Sequence, residues 1–393
     1  MHGPTPLDRD APADALIEGV LVLPDRVARG VVRVEDGRIA SVDADDAPAD
    51  APLSGALVTP GAVDLHTDHV EKHLFPRQGV PWDPLAALLA HDAQMLGAGT
   101  TTVFDGLSVG AAMQRPERRE TLGPLVDALE EATDAALLRV EHLIHLRCEI
   151  CDPETPGLLA ATIDGPLVRL VSVMDHTPGD RQSPDVARWT ERMAADMQLD
   201  RAEAEARTAA LLARSARVSA PTRAAVVAMA HDRGLPLMSH DDAGAAHVGQ
   251  AVAEGVAIAE FPTTLEAARA ARAAGLVIVA GAPNLLRGGS QSGNVAVRDL
   301  LAEGLVDVLA SDYVPRSPFD AAIAIAADPD LGVPLHAAVA MATAAPARAA
   351  GLADRGALSV GRRADIALIR PLGGPRPRRV HLRALWRAGA RVL

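Results

Sequence analysis

Between residues 58 and 315 the chain alternates short apolar runs with helical patterns, and this alternation limits its fold more than any other feature. Eight runs read as strands: 63–66, 101–105, 141–149, 168–176, 235–240, 257–261, 277–282 and 306–312. Helical patterns fill many of the gaps, as at 83–96, 117–136, 184–213 and 265–274. Parallel strands need a crossover, and a helix supplies it, so strand–helix alternation implies a parallel sheet. Eight such units imply a closed (β/α)8 barrel of the TIM type. A doubly wound open sheet is the alternative, but no G-x-G-x-x-G follows any strand, which leaves a dinucleotide site without its glycines.

Both chain ends carry strand patterns of their own. Leu16 to Val22, Gly30 to Val34 and Ile39 to Val42 come before the barrel, with Asp36-Gly37 as a hairpin turn. Ala364 to Ile369 and Ala384 to Leu393 follow it. The expectation is an α/β protein with a small β-sandwich domain from residues 15–57 and 358–393, around a barrel of residues 58–357. Residues 1–14 read as a disordered tail.

Active residues of such barrels sit at the C-terminal ends of the strands. Those positions hold His66 and Asp68, Glu149, His176, His240 and Asp312. Any one alone would read as structural. Together they form a carboxylate–imidazole set suited to Zn2+, with Mn2+ or Fe2+ as alternatives, as one or two ions. His66 and Asp68 share one face of an extended backbone, with Thr67 on the other.

The same residues carry a resemblance. Pro60-Gly61-x-x-Asp64-x-His66 resembles the first barrel strand of the amidohydrolase superfamily, and the stretch from Gly356 to Ile366 resembles its closing motif. His66-Thr67-Asp68, Glu71-Lys72-His73 and Pro76-Arg77 are similar to one narrower family, the α-D-ribose 1-methylphosphonate 5-triphosphate diphosphatases of the carbon–phosphorus lyase pathway. The resemblance implies that the pair after the first strand holds one metal, that Glu149 bridges two, that His176 and His240 hold the second, and that Asp312 closes the site and moves the proton of the attacking water. It also implies phosphonate catabolism and a phosphorylated sugar substrate that loses pyrophosphate. The chain has H-x-D where the superfamily usually has H-x-H, as the narrower family does. His69 stands where that family has Asn; an extra ligand, a phosphate donor and a neutral replacement are all open roles for it. His176 and His240 end the fourth and fifth strands, out of step with the superfamily's usual placement.

Several cations and glycines point to phosphate. Along 141–149, alternation sets His145, Arg147 and Glu149 on one face, and a buried Arg needs an anion. Arg181 follows His176; Lys72 and Arg77 follow the first strand. The loop 281–294, after the seventh strand, holds Arg287, Gly288, Gly289 and Ser290 and is expected to enter a helix whose N–H groups attract anions. Asp242 could orient His240. His91, Asp92, His142, His231, His247 and His336 read as structural or surface residues. Cys148 and Cys151 read as two incidental thiols, since no second pair completes a zinc site.

A net charge of −13 argues against nucleic acid and anionic membranes as partners. No apolar run reaches the roughly 18 residues of a spanning helix, and no basic segment precedes an apolar one at the N-terminus. The expectation is a cytoplasmic enzyme, self-associating as a homo-oligomer, that hydrolyses a triphosphate. Two rivals stand beside it: an amidohydrolase acting on a C–N bond, and a non-catalytic scaffold that should have lost its ligand residues.

Overall fold

In a computed structural model, residues 14–46, 53, 55–77, 79–111, 118–290, 292–374 and 376–393 are described. The tail expected at residues 1–14 lies outside the described residues except for Asp14.

Eight parallel strands build the barrel: β5 (Ala62–Thr67), β6 (Thr100–Val109), β7 (Glu141–Glu149), β8 (Val168–Met174), β9 (Leu237–His240), β10 (Ile258–Glu260), β11 (Val277–Gly281) and β12 (Val308–Ala310). They pair in chain order, so each expected strand is present in its expected place. Closure rests on few bonds. Thr67 makes a parallel bridge to Asp312, Asp312 N donates to His66 O at 2.9 Å, and Asp68 N donates to Asp312 O at 3.3 Å. The seam of the barrel therefore runs through the expected metal ligands.

Side chains alternate as pleating demands. Leu65, Phe104, Leu143, Leu170, Met238, Ile258, Val279 and Val308 fill the barrel below its mouth. Their neighbours Leu107, Val109, Ile144, Leu146 and Cys148 pack outward against the helices Pro84–Gly97 and Arg118–Asp134. The helix expected at 184–213 is two helices, Val186–Met197 and Arg201–Asp232. Gln198 breaks the first in a left-handed conformation, and Asp200 caps the second by accepting from Glu203 N at 2.8 Å.

The chain ends build a second sheet of seven strands. β1 (Ala15–Val22), β2 (Val27–Glu35) and β3 (Arg38–Asp46) come from the N-terminal end, together with β4 (Leu57–Pro60). β13 (Ile366–Leu372), β14 (Arg379–Arg387) and β15 (Ala390–Arg391) come from the C-terminal end. β4 joins the halves, parallel to β1 and antiparallel to β13. Asp36 and Gly37 turn β2 into β3 with positive φ at both positions, as a type I′ hairpin requires. At the far edge Gly361 N donates to Ile39 O at 2.8 Å and Ile39 N to Arg362 O at 2.9 Å, so the segment leading into β13 lies along the edge strand β3.

Gly61 is the hinge point between β4 and β5. A Cβ there would sit 2.3 Å from Thr101 Cγ2, which only glycine avoids. Below the barrel, Glu141 accepts from Arg355 at 2.8 Å and pairs with Arg363, so one carboxylate ties the barrel wall to the segment leading into β13.

Candidate metal and phosphate site

The inward face of β7 carries His145, Arg147 and Glu149 as alternation requires, and each meets a different partner at the barrel mouth. His145 Nε2 bonds Ser172 Oγ at 2.8 Å. Arg147 Nη1 lies 3.8 Å from Asp68 Oδ2. Glu149 Oε2 holds His176 Nδ1 at 2.5 Å, and Glu149 Oε1 accepts from Cys151 Sγ at 3.2 Å. The Cys151 thiol is thus in direct contact with an expected ligand rather than incidental. Burial, and then the Glu149 charge, push both thiols up, so they stay protonated.

The centre of the site is a residue the sequence patterns did not single out. Glu260, the last residue of β10, is fully buried and binds two histidines at once. Its Oε1 is 2.6 Å from His66 Nδ1, and its Oε2 is 2.5 Å from His240 Nδ1. A signal for it existed: a carboxylate ends the apolar run Val256 to Ala259 just as Glu149 ends β7. Held through Nδ1, each imidazole is fixed in tautomer and turned so that Nε2 is presented. The His66 and His240 rings stack at 5.9 Å, and His176 meets His240 edge-on, also at 5.9 Å.

Asp241 is the second residue missed. Its Oδ2 is 3.3 Å from His240 Nε2 and buried, with no hydrogen-bond partner among the described residues. Ligand atoms of His66, His240 and Glu260 lie within 4.8 Å of one another, as do those of His176, His240 and Asp241. A buried carboxylate oxygen beside oriented imidazole nitrogens is a donor set that fits a divalent cation. Asp68, Glu149 and Asp312 stand around these two groups rather than within them.

Electrostatics sharpen the picture. Burial lowers the tendency of His240 to protonate, but Asp241 and Glu260 outweigh it and raise the ring to about 10. Burial works against the Glu260 charge, yet His66 and His240 hold it well below the usual carboxylate range. Burial pushes Asp312 up to about 6, and Asp68 adds to the shift against the pull of His66, Arg147 and His240. Asp312 also adopts a left-handed backbone, φ 54°, two residues past the end of β12.

The phosphate candidates divide. Arg147 is buried, and its Nε and Nη1 make no hydrogen bond among the described residues. Arg181 is buried too, but it donates to Asp242 Oδ1 at 2.5 Å and to His240 O at 3.1 Å. Its Nη1 thereby braces the β9 end, while its Nε is buried and makes no hydrogen bond among the described residues. Asp242 is committed to that pair and to Ser239 Oγ, at 2.7 Å, so Glu260 and not Asp242 orients His240. Lys72 and Arg77 are exposed.

The loop after β11 differs from expectation in one respect. Its helix, Ala282–Arg287, comes before the glycines, and Gly288 caps its C-terminal end with φ 84°. Pro283 favours a helix start at that point, so the glycines see helix carbonyls and not helix N–H groups. The loop nonetheless reaches the site. Gly289 and Ser290 line one cavity with Asp241, Asp312 and Tyr313, and Arg287 Nη1 donates to Tyr313 Oη at 3.2 Å.

Residues 57–389 match the Amidohydrolase family. An α-D-ribose 1-methylphosphonate 5-triphosphate diphosphatase from Escherichia coli (strain K12) is 38% identical over 374 residues, covering 95% of this chain and 98% of that one. Among solved structures, an adenosine deaminase from Xanthomonas campestris with bound zinc superposes with a TM-score of 0.56 at 17% identity, over 97% of this chain and 93% of that one. A triazine hydrolase from Arthobacter aurescens gives 0.59 at 15% identity, over 96% and 94%. At such identities these two share the fold alone.

Proposed function

The chain belongs to the amidohydrolase family, and we propose that it hydrolyses α-D-ribose 1-methylphosphonate 5-triphosphate to the 5-phosphate and pyrophosphate, as a step of phosphonate breakdown. The diphosphatase relative supports the substrate. The observation that carries it structurally is Arg147: a buried guanidinium with bare donors beside the histidine–carboxylate cluster. Asp68 stands 3.8 Å from Nη1, and a phosphate offers the bare donors charged acceptors in hydrogen-bond reach, which a neutral amide does not.

His66, His240, His176 and Asp241 would hold the divalent ion, Zn2+ before Mn2+ or Fe2+, with Glu260 fixing the first two rings, and Asp68, Glu149 and Asp312 would complete a second position. When bound, such an ion acidifies water from 15.7 to about 7 and draws charge from a phosphoryl oxygen. Asp312 accepts a proton from the attacking water. Water adds to the α-phosphorus, the bond from that phosphorus to the bridging oxygen breaks, and the electron pair leaves with pyrophosphate. Arg147 faces the phosphoryl charge, and Arg287, Gly288, Gly289 and Ser290 sit where the outgoing pyrophosphate would lie. Lys72 and Arg77 add long-range attraction at the rim, against a net charge of −13. Arg181 has no part in substrate contact in this reading.

Among the described residues no helix is long and apolar enough to cross a membrane. The reading includes a cytoplasmic enzyme that self-associates as a homo-oligomer. The test is a substrate panel with zinc-loaded protein: the ribose triphosphate, a nucleoside triphosphate, and N-acyl and cyclic-amide compounds. Pyrophosphate release from the first supports the proposal, and turnover confined to the amides sinks it.

A further inference from the structure

We propose that the chain carries a second cation site, a three-imidazole zinc site formed by His69, His73 and His91 outside the barrel wall. His69 is the N-cap of the helix Val70–Leu74 and His73 lies four residues on, which sets both on one face. His91 projects from the helix Pro84–Gly97. Ring nitrogens of the three lie within 4.8 Å of one another. Ring centroids are 5.3 Å apart for His69 and His73, 6.1 Å for His69 and His91, and 6.0 Å for His73 and His91.

The hydrogen bonds around the rings of His91 and His73 fix which nitrogen of each keeps a lone pair. His91 is fully buried, and its Nε2 donates to Asp105 Oδ1 at 2.8 Å. The proton is therefore on Nε2, and Nδ1 carries a lone pair. That Nδ1, and Nδ1 of His69, are buried with no hydrogen-bond partner among the described residues. His73 Nε2 meets Gln94 Oε1 at 3.0 Å, which puts its lone pair on Nδ1 as well. The two bare buried acceptors, on His69 and His91, lack a partner, and a cation supplies one to both while taking His73 as its third ligand.

A carboxylate behind the ligand completes the resemblance to a built zinc site. Asp105 orients His91, and its other oxygen is held by His142 Nδ1 at 2.7 Å. Asp105 follows the inward-facing Phe104 on β6, so it points outward, away from the pocket that holds Glu260. Around a tetrahedral ion with Zn–N of about 2.05 Å, the nitrogens would stand about 3.3 Å apart. His69 and His73 are only half-buried and are free to close that gap by rotating. Three protein ligands leave the fourth position to water. The ion would pin the segment after β5 to the outer helix.

The deciding measurement is zinc per chain, by mass spectrometry on full-length protein equilibrated with ZnCl2, for wild type and His69→Asn/His73→Gln. Co2+ titration followed by its visible absorption gives a second count. The site predicts one equivalent fewer in the folded double variant and loss of one set of cobalt bands. Equal equivalents in both proteins overturn it. Should the double variant fail to fold by circular dichroism, His73→Gln alone decides on the same count.

Discussion

His66 and His240 come from the first and fifth barrel strands, yet their rings stack 5.9 Å apart and only 14° from parallel. Glu260 imposes this by taking Nδ1 of both. Two imidazoles so held cannot turn independently, so the pair behaves as one preformed unit. Replacing Glu260 with Gln keeps the shape but removes the charge and one acceptor. Metal affinity should then fall about 10–100-fold, with far-ultraviolet circular dichroism unchanged. Competition against a chromogenic chelator reads the difference, and an unchanged affinity would show that Glu260 does not organise the site.

Arg147 gives a prediction with a kinetic signature. Its Nε and Nη1 make no hydrogen bond among the described residues and its ion pair to Asp68 is 3.8 Å long, so removing it should leave metal content intact and act on the anion. For Arg147→Met, kcat/KM for the triphosphate should drop about 10–150-fold, the loss of one charge-assisted contact worth roughly 1.5–3 kcal/mol. A loss mostly in KM means the contact forms with the ground state; a loss mostly in kcat means it strengthens as charge develops. Unchanged kinetics would remove Arg147 from the phosphate site.

Glu141 links stability to pH. Burial opposes its charge, but Arg363 and Arg355 outweigh that and hold its carboxyl below the ordinary 4.5. The folded value is depressed, so the unfolded chain takes the proton first. The contribution is complete above 4.5 and is lost as pH falls through the folded value. Glu141→Gln should cost about 2 kcal/mol near neutrality, less than a fully buried pair because Glu141 is partly exposed and Asp354 and Asp365 remain beside the two arginines. Melting temperature against pH should decline less steeply below 4.5 for the variant than for the wild type. Parallel curves would contradict this.

Much of this was readable from residue order. Eight apolar runs fell in the right order and places, though the second strand runs on to Val109 and not to Asp105, because inward alternation and the crossover helices leave a strong periodic trace. His66, Glu149, His176, His240 and Asp312 announced themselves as ligand types at those ends. Glu260 did not, because β10 has three residues and a lone carboxylate beside Phe261 looks like a strand terminus. Arg181 looked like a loop cation, and only the fold shows that Asp242, from the β9 end, answers its charge. Pro283 was the sign that the helix precedes the glycines of 281–294, but a glycine run has no period to show which side the helix takes. The trio His69, His73 and His91 looked structural because its members face each other only once two helices pack.

The most direct test of the central claim is hydrolysis of α-D-ribose 1-methylphosphonate 5-triphosphate in 18O-labelled water, followed by phosphorus NMR and mass spectrometry. Attack at the α-phosphorus predicts pyrophosphate and the 5-phosphate in equal amounts, with the label in the sugar phosphate. Label in the pyrophosphate, release of orthophosphate alone, or no phosphorus product from zinc-loaded protein would contradict the account.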